Sequence, residues 1–165
     1  MSNSIASLSK PSKQDPLIVR LLSDMNRFDP DRLVELYDSP SRGEVSLEES
    51  IIRSGLADER QIAEAYSRHY LMPLFDPPED TPPPVDPLVA KILPSRLCRD
   101  HLISPLSDDG QTLEVAVFSP DSLLLADEIK LLTGRQMRPL FTTLSVIERL
   151  LSVLYEEGTW TNTVT

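Results

Sequence analysis

The sequence predicts an α+β fold. It is an α/β sandwich in which a helical N-terminal subdomain precedes a small mixed three-stranded sheet covered by helices. Three observations predict it. The region from Asp15 to His69 carries apolar residues at helical spacing. The stretch Asp76 to Pro84, DPPEDTPPP, cannot lie inside a helix or a central strand, because proline lacks the donor that both need. From Pro94 to Tyr155 the residues read strand, tight turn, strand, helix, strand, helix, with nearly every boundary signed by a turn or cap residue.

These features divide the chain. Residues 1–14 are Ser- and Lys-rich and read as a disordered N-terminus, and 15–70 form a helical subdomain with a degenerate helix-pair repeat. Residues 71–84 give a short strand and the Pro-rich connector, 85–156 an α/β subdomain, and 157–165 a flexible polar tail containing Trp160.

Helix starts are well marked. Asp15-Pro16, Asp29-Pro30, Asp86-Pro87 and Ser119-Pro120 each place a capping side chain before a proline at the first helical position. Ser46 with Glu49, and Asp58 with Gln61, have capping-box spacing. Gly55 and Gly134 follow periodic apolar runs and suit the left-handed residue that closes a helix. The expected helices are roughly 16–27, 30–38, 47–54, 59–70, 87–93, 120–133 and 144–156. Cys98, between Arg96 and Arg99, reads as a small buried side chain on a further short helix.

The expected strands are Leu71 to Phe75, Leu102 to Ser107, Thr112 to Phe118 and Arg135 to Phe141. Asp108-Asp109-Gly110 is a hairpin signal between the second and third of these, because glycine accepts positive φ. Leu113, Val115 and Val117 share one face, and Met137 and Phe141 point inward. The last strand follows a helix, so it runs parallel to 112–118 through a right-handed crossover. Leu124, Leu125, Ile129 and Leu132 are expected to cover the sheet, with Ile147, Leu150, Leu151 and Leu154 of the final helix beside them.

In the helical half, DPDRLVELY at Asp29 to Tyr37 matches DERQIAEAY at Asp58 to Tyr66, a constant offset of 29 positions (58 − 29). Asp29 answers Asp58, Leu33 answers Ile62, Glu35 answers Glu64 and Tyr37 answers Tyr66.

Composition narrows the function. The formal charge of −10 disfavours nucleic-acid backbones and anionic lipid alike. The single cysteine forbids an internal disulfide and any Cys-based metal site. The first residues lack the apolar core of a signal peptide, and no apolar run is long enough for direct membrane insertion, which points to the cytoplasm. His69 and His101 are the only histidines and have no partners at ligand spacing, so no metal site and no catalytic residue is assigned. Asp108-Asp109 reads as turn chemistry and Glu48-Glu49 as a favourable helix-start charge.

The segment SLEESIIRSGLADERQIAEAYSRHYLMPLF, followed by KILP, HLISPLSDDGQTLEVAV and SPDSLLLADEIKLLTGRQMRP, resembles the N-terminal domain of the assembly ATPases of type II secretion and type IV pilus systems. The resemblance covers roughly residues 44–156. It implies a non-catalytic adaptor that binds the cytoplasmic part of an inner-membrane platform protein, peripheral to that membrane through its partner. The family's own motor domain would be a second partner. No G-x-x-x-x-G-K-[ST] occurs here; the glycines are Gly43, Gly55, Gly110, Gly134 and Gly158, and none precedes a lysine. The chain then reads as a piece of a longer ATPase or as a free-standing relative.

One branch of that family binds cyclic di-GMP through two tandem copies of R-L-G-x-x-(L/V)-(L/V)-x-x-G-L…L…L-x-x-Q. The second copy falls here on Ser46-Leu47-Glu48, Ile51-Ile52, Gly55-Leu56, Ile62, Tyr66 and His69. The resemblance thus implies Ser46, Leu47, Ile51, Gly55, Leu56, Ile62, Tyr66 and His69 as an alternative ligand-binding set, with cyclic di-GMP as the ligand. Three positions depart: Ser46 stands for the Arg, Glu48 for the Gly and His69 for the Gln. In the first copy Met25 stands near the internal Gly. A glutamate facing a dianion repels it where a glycine would admit it. The apolar positions then serve helix packing. An enzyme of another type is the least supported reading, and a plain spacer domain is the bland one.

Overall fold

The computed structural model describes residues 16–25, 29–38 and 46–155. The expectations for the N-terminus, the tail with Trp160 and the Asp15 cap lie outside these residues. Contacts divide the chain into two units, Met1–Tyr70 and Leu71–Thr165, and each is considered by itself.

The first unit is helical. α1 is Leu17–Asp24, α2 Pro30–Asp38, α3 Leu47–Ser54 and α4 Glu59–Tyr70. The caps form as the side chains dictate. Asp29 Oδ1 accepts from the Asp31 N–H at 3.0 Å, and Ser46 Oγ from Glu49 N–H at 3.2 Å. Asp58 and Gln61 bond reciprocally, at 2.8 and 2.9 Å, so two orphan donors are satisfied at once. Gly55 ends α3 at φ 78°, a conformation that costs a Cβ-bearing residue strain. α1 packs on α2 and α4, α2 on α3, and α3 on α4. Their buried side chains are Ile18, Val19, Leu22, Leu33, Leu47, Ile51, Ala57, Ile62, Ala63, Ala65 and Tyr66. The repeat-related Leu33 and Ile62 are both fully buried.

The second unit is built on a three-stranded sheet in the order β1-β2-β3: Ile103–Asp108, Thr112–Val117 and Gln136–Phe141. β1 and β2 are antiparallel across the Asp108-Asp109-Gly110 turn, and β3 runs parallel to β2 with Thr112 opposite Gln136 and Val117 opposite Phe141. The central β2 buries Val115, Ala116 and Val117 completely, so both its faces are covered at that end. Pro105 and Pro139 lie on the flanking strands β1 and β3, where a missing donor costs no central ladder bond. The register shifts between Pro105 and Ser107, and the displaced Leu106 carbonyl accepts from the Asp86 N–H. α5 (Ser95–His101), α6 (Ala126–Thr133) and α7 (Leu144–Leu154) complete the unit. α7 buries Val146, Ile147, Leu150, Leu151 and Leu154, and Thr143 Oγ1 caps it by accepting from Val146 N–H at 3.2 Å.

Four expectations need correction. The strand at Leu71 to Phe75 shrinks to one parallel bridge, Leu74 to Phe141. The Phe141 N–H donates to Pro73 O, and Phe75 N–H to Phe141 O, but Pro73, Pro77 and Pro78 supply no donors to extend the ladder. The helix expected over 87–93 is a 3₁₀ segment, Pro87–Lys91, capped by Asp86. The helix expected over 120–133 is a 3₁₀ segment, Pro120–Leu125, that continues into α6. This last change rotates the apolar pattern. Three residues per turn align Ser122 with Leu125, both buried, and turn Leu124 outward. Leu124 and Leu132, expected to cover the sheet, are 84% and 56% exposed, whereas Leu125 and Ile129 are buried.

The connector is tied down within this unit. The Arg149 guanidinium on α7 donates to the carbonyls of Pro78 and Thr81, and Thr142 Oγ1 donates to Phe75 O at 2.7 Å. A run of prolines leaves carbonyls without competing neighbours, and a fork of N–H donors suits them.

Candidate functional site

The residues of the second motif copy occupy α3, the turn after it and α4, and they separate into two classes. Leu47, Ile51, Ile62 and Tyr66 point into the helical core and are buried. Leu56 is half-buried in the turn, and Gly55 is the left-handed residue that ends α3. Ser46 is an exposed cap whose hydroxyl is used on Glu49 N–H, and His69 is exposed at the end of α4, edge-on to the Tyr70 ring at 4.9 Å. The structure therefore brings the apolar members together as helix packing, and it does not bring Ser46 and His69 into one polar cluster with them.

Glu48 explains part of this. Its Oε1 accepts from the Tyr66 hydroxyl at 2.6 Å, between helices 18 residues apart in sequence. A charge-assisted bond of that length fixes the carboxylate against α4. The motif has a glycine at this position, whereas here the Glu48 side chain is bonded to Tyr66. Sequence reading missed the Glu48–Tyr66 bond, because nothing in local periodicity pairs side chains on different helices.

A further feature lies on the first helix. An open pocket of about 230 Å³ is lined by Leu21, Met25, Ala65, Arg68 and His69. Beside it in sequence, Arg20 keeps its Nε buried with no hydrogen-bond partner among the described residues. The lining combines apolar contact with two cation-capable heads.

The family model for the MshEN domain matches residues 70–159. The chain belongs to the MshEN domain family. It is 29% identical over 119 residues to the type IV pilus assembly ATPase PilB of Thermus thermophilus, and 23% identical over 114 residues to PilB of Myxococcus xanthus. Each alignment takes in 69% of this chain but only 13% and 20% of those relatives, so the chain spans a small part of their length. The fold is shared with MshE, solved with cdg, at a TM-score of 0.66 and 16% identity, over 86% of this chain and all of that one. It is shared also with the N-terminal domain of XpsE, at 0.62 and 22% identity, over 84% and 93%.

The MshEN match falls on the α/β unit, whereas the degenerate motif falls on the helices before it. Among the described residues of this MshEN domain, no group of three or more His, Cys, Asp or Glu could hold a metal ion. No described helix is long and apolar enough to cross a membrane. His101 is exposed, and its carbonyl accepts from the buried Ser122 hydroxyl at 2.9 Å.

Cys98 is buried on α5. The Tyr155 hydroxyl lies 3.9 Å from its sulfur and donates to Leu93 O at 2.8 Å, while Arg99 Nη2 donates to Tyr155 O at 3.1 Å. Burial pushes the thiol up to about 11, against smaller lowering effects of the Tyr155 hydroxyl and Arg99. Burial and the neighbouring Cys98 likewise push the Tyr155 phenol up. A neutral thiol and a neutral phenol form a structural knot between α5 and the end of α7. We expect Cys98 in the native MshEN domain to be inert to a thiol-directed disulfide reagent near pH 8, where about one thiol in a thousand is ionised. Labelling kinetics followed with and without urea check this; rapid labelling of the folded protein would refute it.

The hairpin end of the sheet holds the second electrostatic feature. Arg135 Nε lies 2.6 Å from Asp108 Oδ1, and Asp109 Oδ1 accepts from the N–H groups of Gln111 and Thr112. The Arg135 hydrogen bond, then the Gly110 N–H, hold the Asp108 carboxyl below its ordinary value; the Thr112 and Gln111 N–H groups do the same for Asp109. Carboxylates with lowered native values contribute stability above the unfolded carboxylate range, and that contribution is lost as pH falls through the native value. The turn is therefore expected to loosen on the acid side, below the usual carboxylate range. Proton exchange of the Gly110 and Thr112 amides against pH reads it. Asp108→Asn should flatten that acid limb, and an unchanged limb would show that the ion pair is not its source.

Proposed function

We propose that this MshEN domain is a non-catalytic docking module of a type IV pilus or type II secretion assembly ATPase. It couples the motor to the cytoplasmic part of an inner-membrane platform protein, and so works at the cytoplasmic side of the membrane through that partner. One observation carries this reading: the unit that matches the family holds its polar groups in capping, turn and knot bonds, yet leaves Leu88, Leu124, Leu131 and Leu132 exposed. Large apolar side chains on the outside of a well-packed unit are surface available to a partner. Calorimetric titration with a purified platform cytoplasmic domain tests it. Saturable binding at micromolar concentration or tighter is the expected result, and its absence overturns the reading.

The second reading, sensing of cyclic di-GMP, is favoured by the open pocket of Leu21, Met25, Ala65, Arg68 and His69, whose lining includes the Arg68 guanidinium. A guanidinium donor there suits an anion or a guanine edge. Titration of labelled cyclic di-GMP separates the two readings, since only sensing requires saturation.

A further inference from the structure

Resting on the docking reading above, we propose that the outer face running from Leu124 to Leu131 and Leu132 is the docking ridge, and that its occupant is a basic amphipathic helix of the partner. Leu124 and Leu131 are 84% and 88% exposed, the two most exposed leucines beyond the 3₁₀ segment's start, and Leu132 is 56% exposed beside them. The placement of Leu124 follows from the 3₁₀ geometry, and that of Leu131 from the α-helical spacing after it. The 3₁₀ segment aims Ser122 and Leu125 inward, α6 continues with Ile129 inward, and Leu131 is left on the far side of α6 from Ile129.

Between the leucines stand Asp127 and Glu128, both exposed. Asp127 is three residues after Leu124 and four before Leu131; Glu128 is four after and three before. Residues three and four apart are neighbours on a helix surface. The outer face thus reads apolar, acidic, apolar over successive turns, with Asp121 exposed at its start. Lys130 is the one cation of the segment and sits about a quarter turn from Leu131. Over 120–133 three carboxylates face one ammonium.

The charge decides the occupant. A second copy would set acidic rims against each other, on a chain of formal charge −10. An anionic bilayer would meet the same repulsion. A helix with a leucine face flanked by Lys or Arg satisfies both the ridge and its rim, and helix-in-groove docking uses the same three-and-four spacing.

The test uses the full chain and two labelled helical peptides of about 18 residues, identical except that the leucine face is flanked by lysines in one and glutamates in the other. Fluorescence anisotropy should show the lysine peptide binding about tenfold or more tighter, weakening as salt rises. Leu124→Asp and Leu131→Asp should each abolish that binding while leaving thermal unfolding unchanged, since both sites are exposed. The double variant Asp127→Lys, Glu128→Lys should reverse the peptide preference, an outcome that misfolding cannot imitate. Equal binding of the two peptides, unchanged binding by the leucine variants, or a wild-type dimer that Leu131→Asp dissolves would overturn the proposal. The platform domain gives the separating arm. If it fails to bind wild type while the lysine peptide binds, the docking reading falls and the ridge stands. If it binds wild type and the leucine variants alike, the ridge falls and the docking reading stands.

Discussion

Replacing Phe141 by alanine is expected to destabilise the α/β unit by about 3–5 kcal/mol, the range for truncating a fully buried phenylalanine. Phe141 is 0% exposed and closes β3 opposite Val117. Its backbone joins the sheet to the Leu74 bridge, donating to Pro73 O and accepting from Phe75 N–H. Those bonds do not need the ring, so the loss is a packing loss with a cavity term. A domain of this size has about 5–15 kcal/mol in total, so the variant should be near its unfolding threshold. Its melting temperature should fall by about 12 °C or more. Phe141→Leu, which keeps most of the volume, should cost about 1.5 kcal/mol or less. Urea titration followed by far-ultraviolet circular dichroism measures both. A loss for the alanine variant no larger than that for leucine would show that the ring is not a core element.

Much of this architecture was readable because local chemistry and tertiary packing agree. Asp58 with Gln61, Ser46 with Glu49, and Gly55 at its left-handed position mark their helix boundaries by bonds made within a few residues. The Asp108-Asp109-Gly110 turn and the parallel placement of β3 follow from turn residues and from the helix between β2 and β3, which are also local or general. A 3.6-residue period across Pro120 to Thr133 does not hold in the first turns, which are 3₁₀, and the change to 3.0 residues per turn displaces Leu124 from the core face, whereas Leu132 is exposed in the last turn of α6. The short strand before the connector is cut to a bridge for a different reason: its apolar residues suit a strand, but Pro73, Pro77 and Pro78 deprive it of donors.

The candidate site was legible only in part. The departures at Ser46, Glu48 and His69 stand in the sequence, but their consequence is tertiary. Glu48 is held by Tyr66 from another helix, and the pocket joins Leu21 and Met25 of one helix end to Ala65, Arg68 and His69 of another. Neither pairing leaves a mark in any short window. Of the leucine ridge, Leu124 and Leu132 were expected in the core and lie outside it, so the surface we assign to docking is where local pattern and packing part company.

The second large effect expected is Ile51→Ala, which tests whether the apolar motif positions serve packing or a ligand. The helices of the first unit are short: α1, α3 and α4 have 8, 8 and 12 residues, and α2 has 9. Helices of that length are marginal alone, so side-chain packing holds them. Ile51 is fully buried in the company of Leu47, Ile62 and Tyr66. Its truncation should remove about 2–5 kcal/mol, enough to open most of so small a helical unit. Hydrogen exchange should then show the amides of α3 and α4 losing protection by several powers of ten, while those of β2 stay protected. Ile62→Ala should behave alike, since Ile62 shares that core. If either variant kept full protection but lost binding of cyclic di-GMP, the side chain would line a ligand slot, and the assignment of these positions to packing would be wrong.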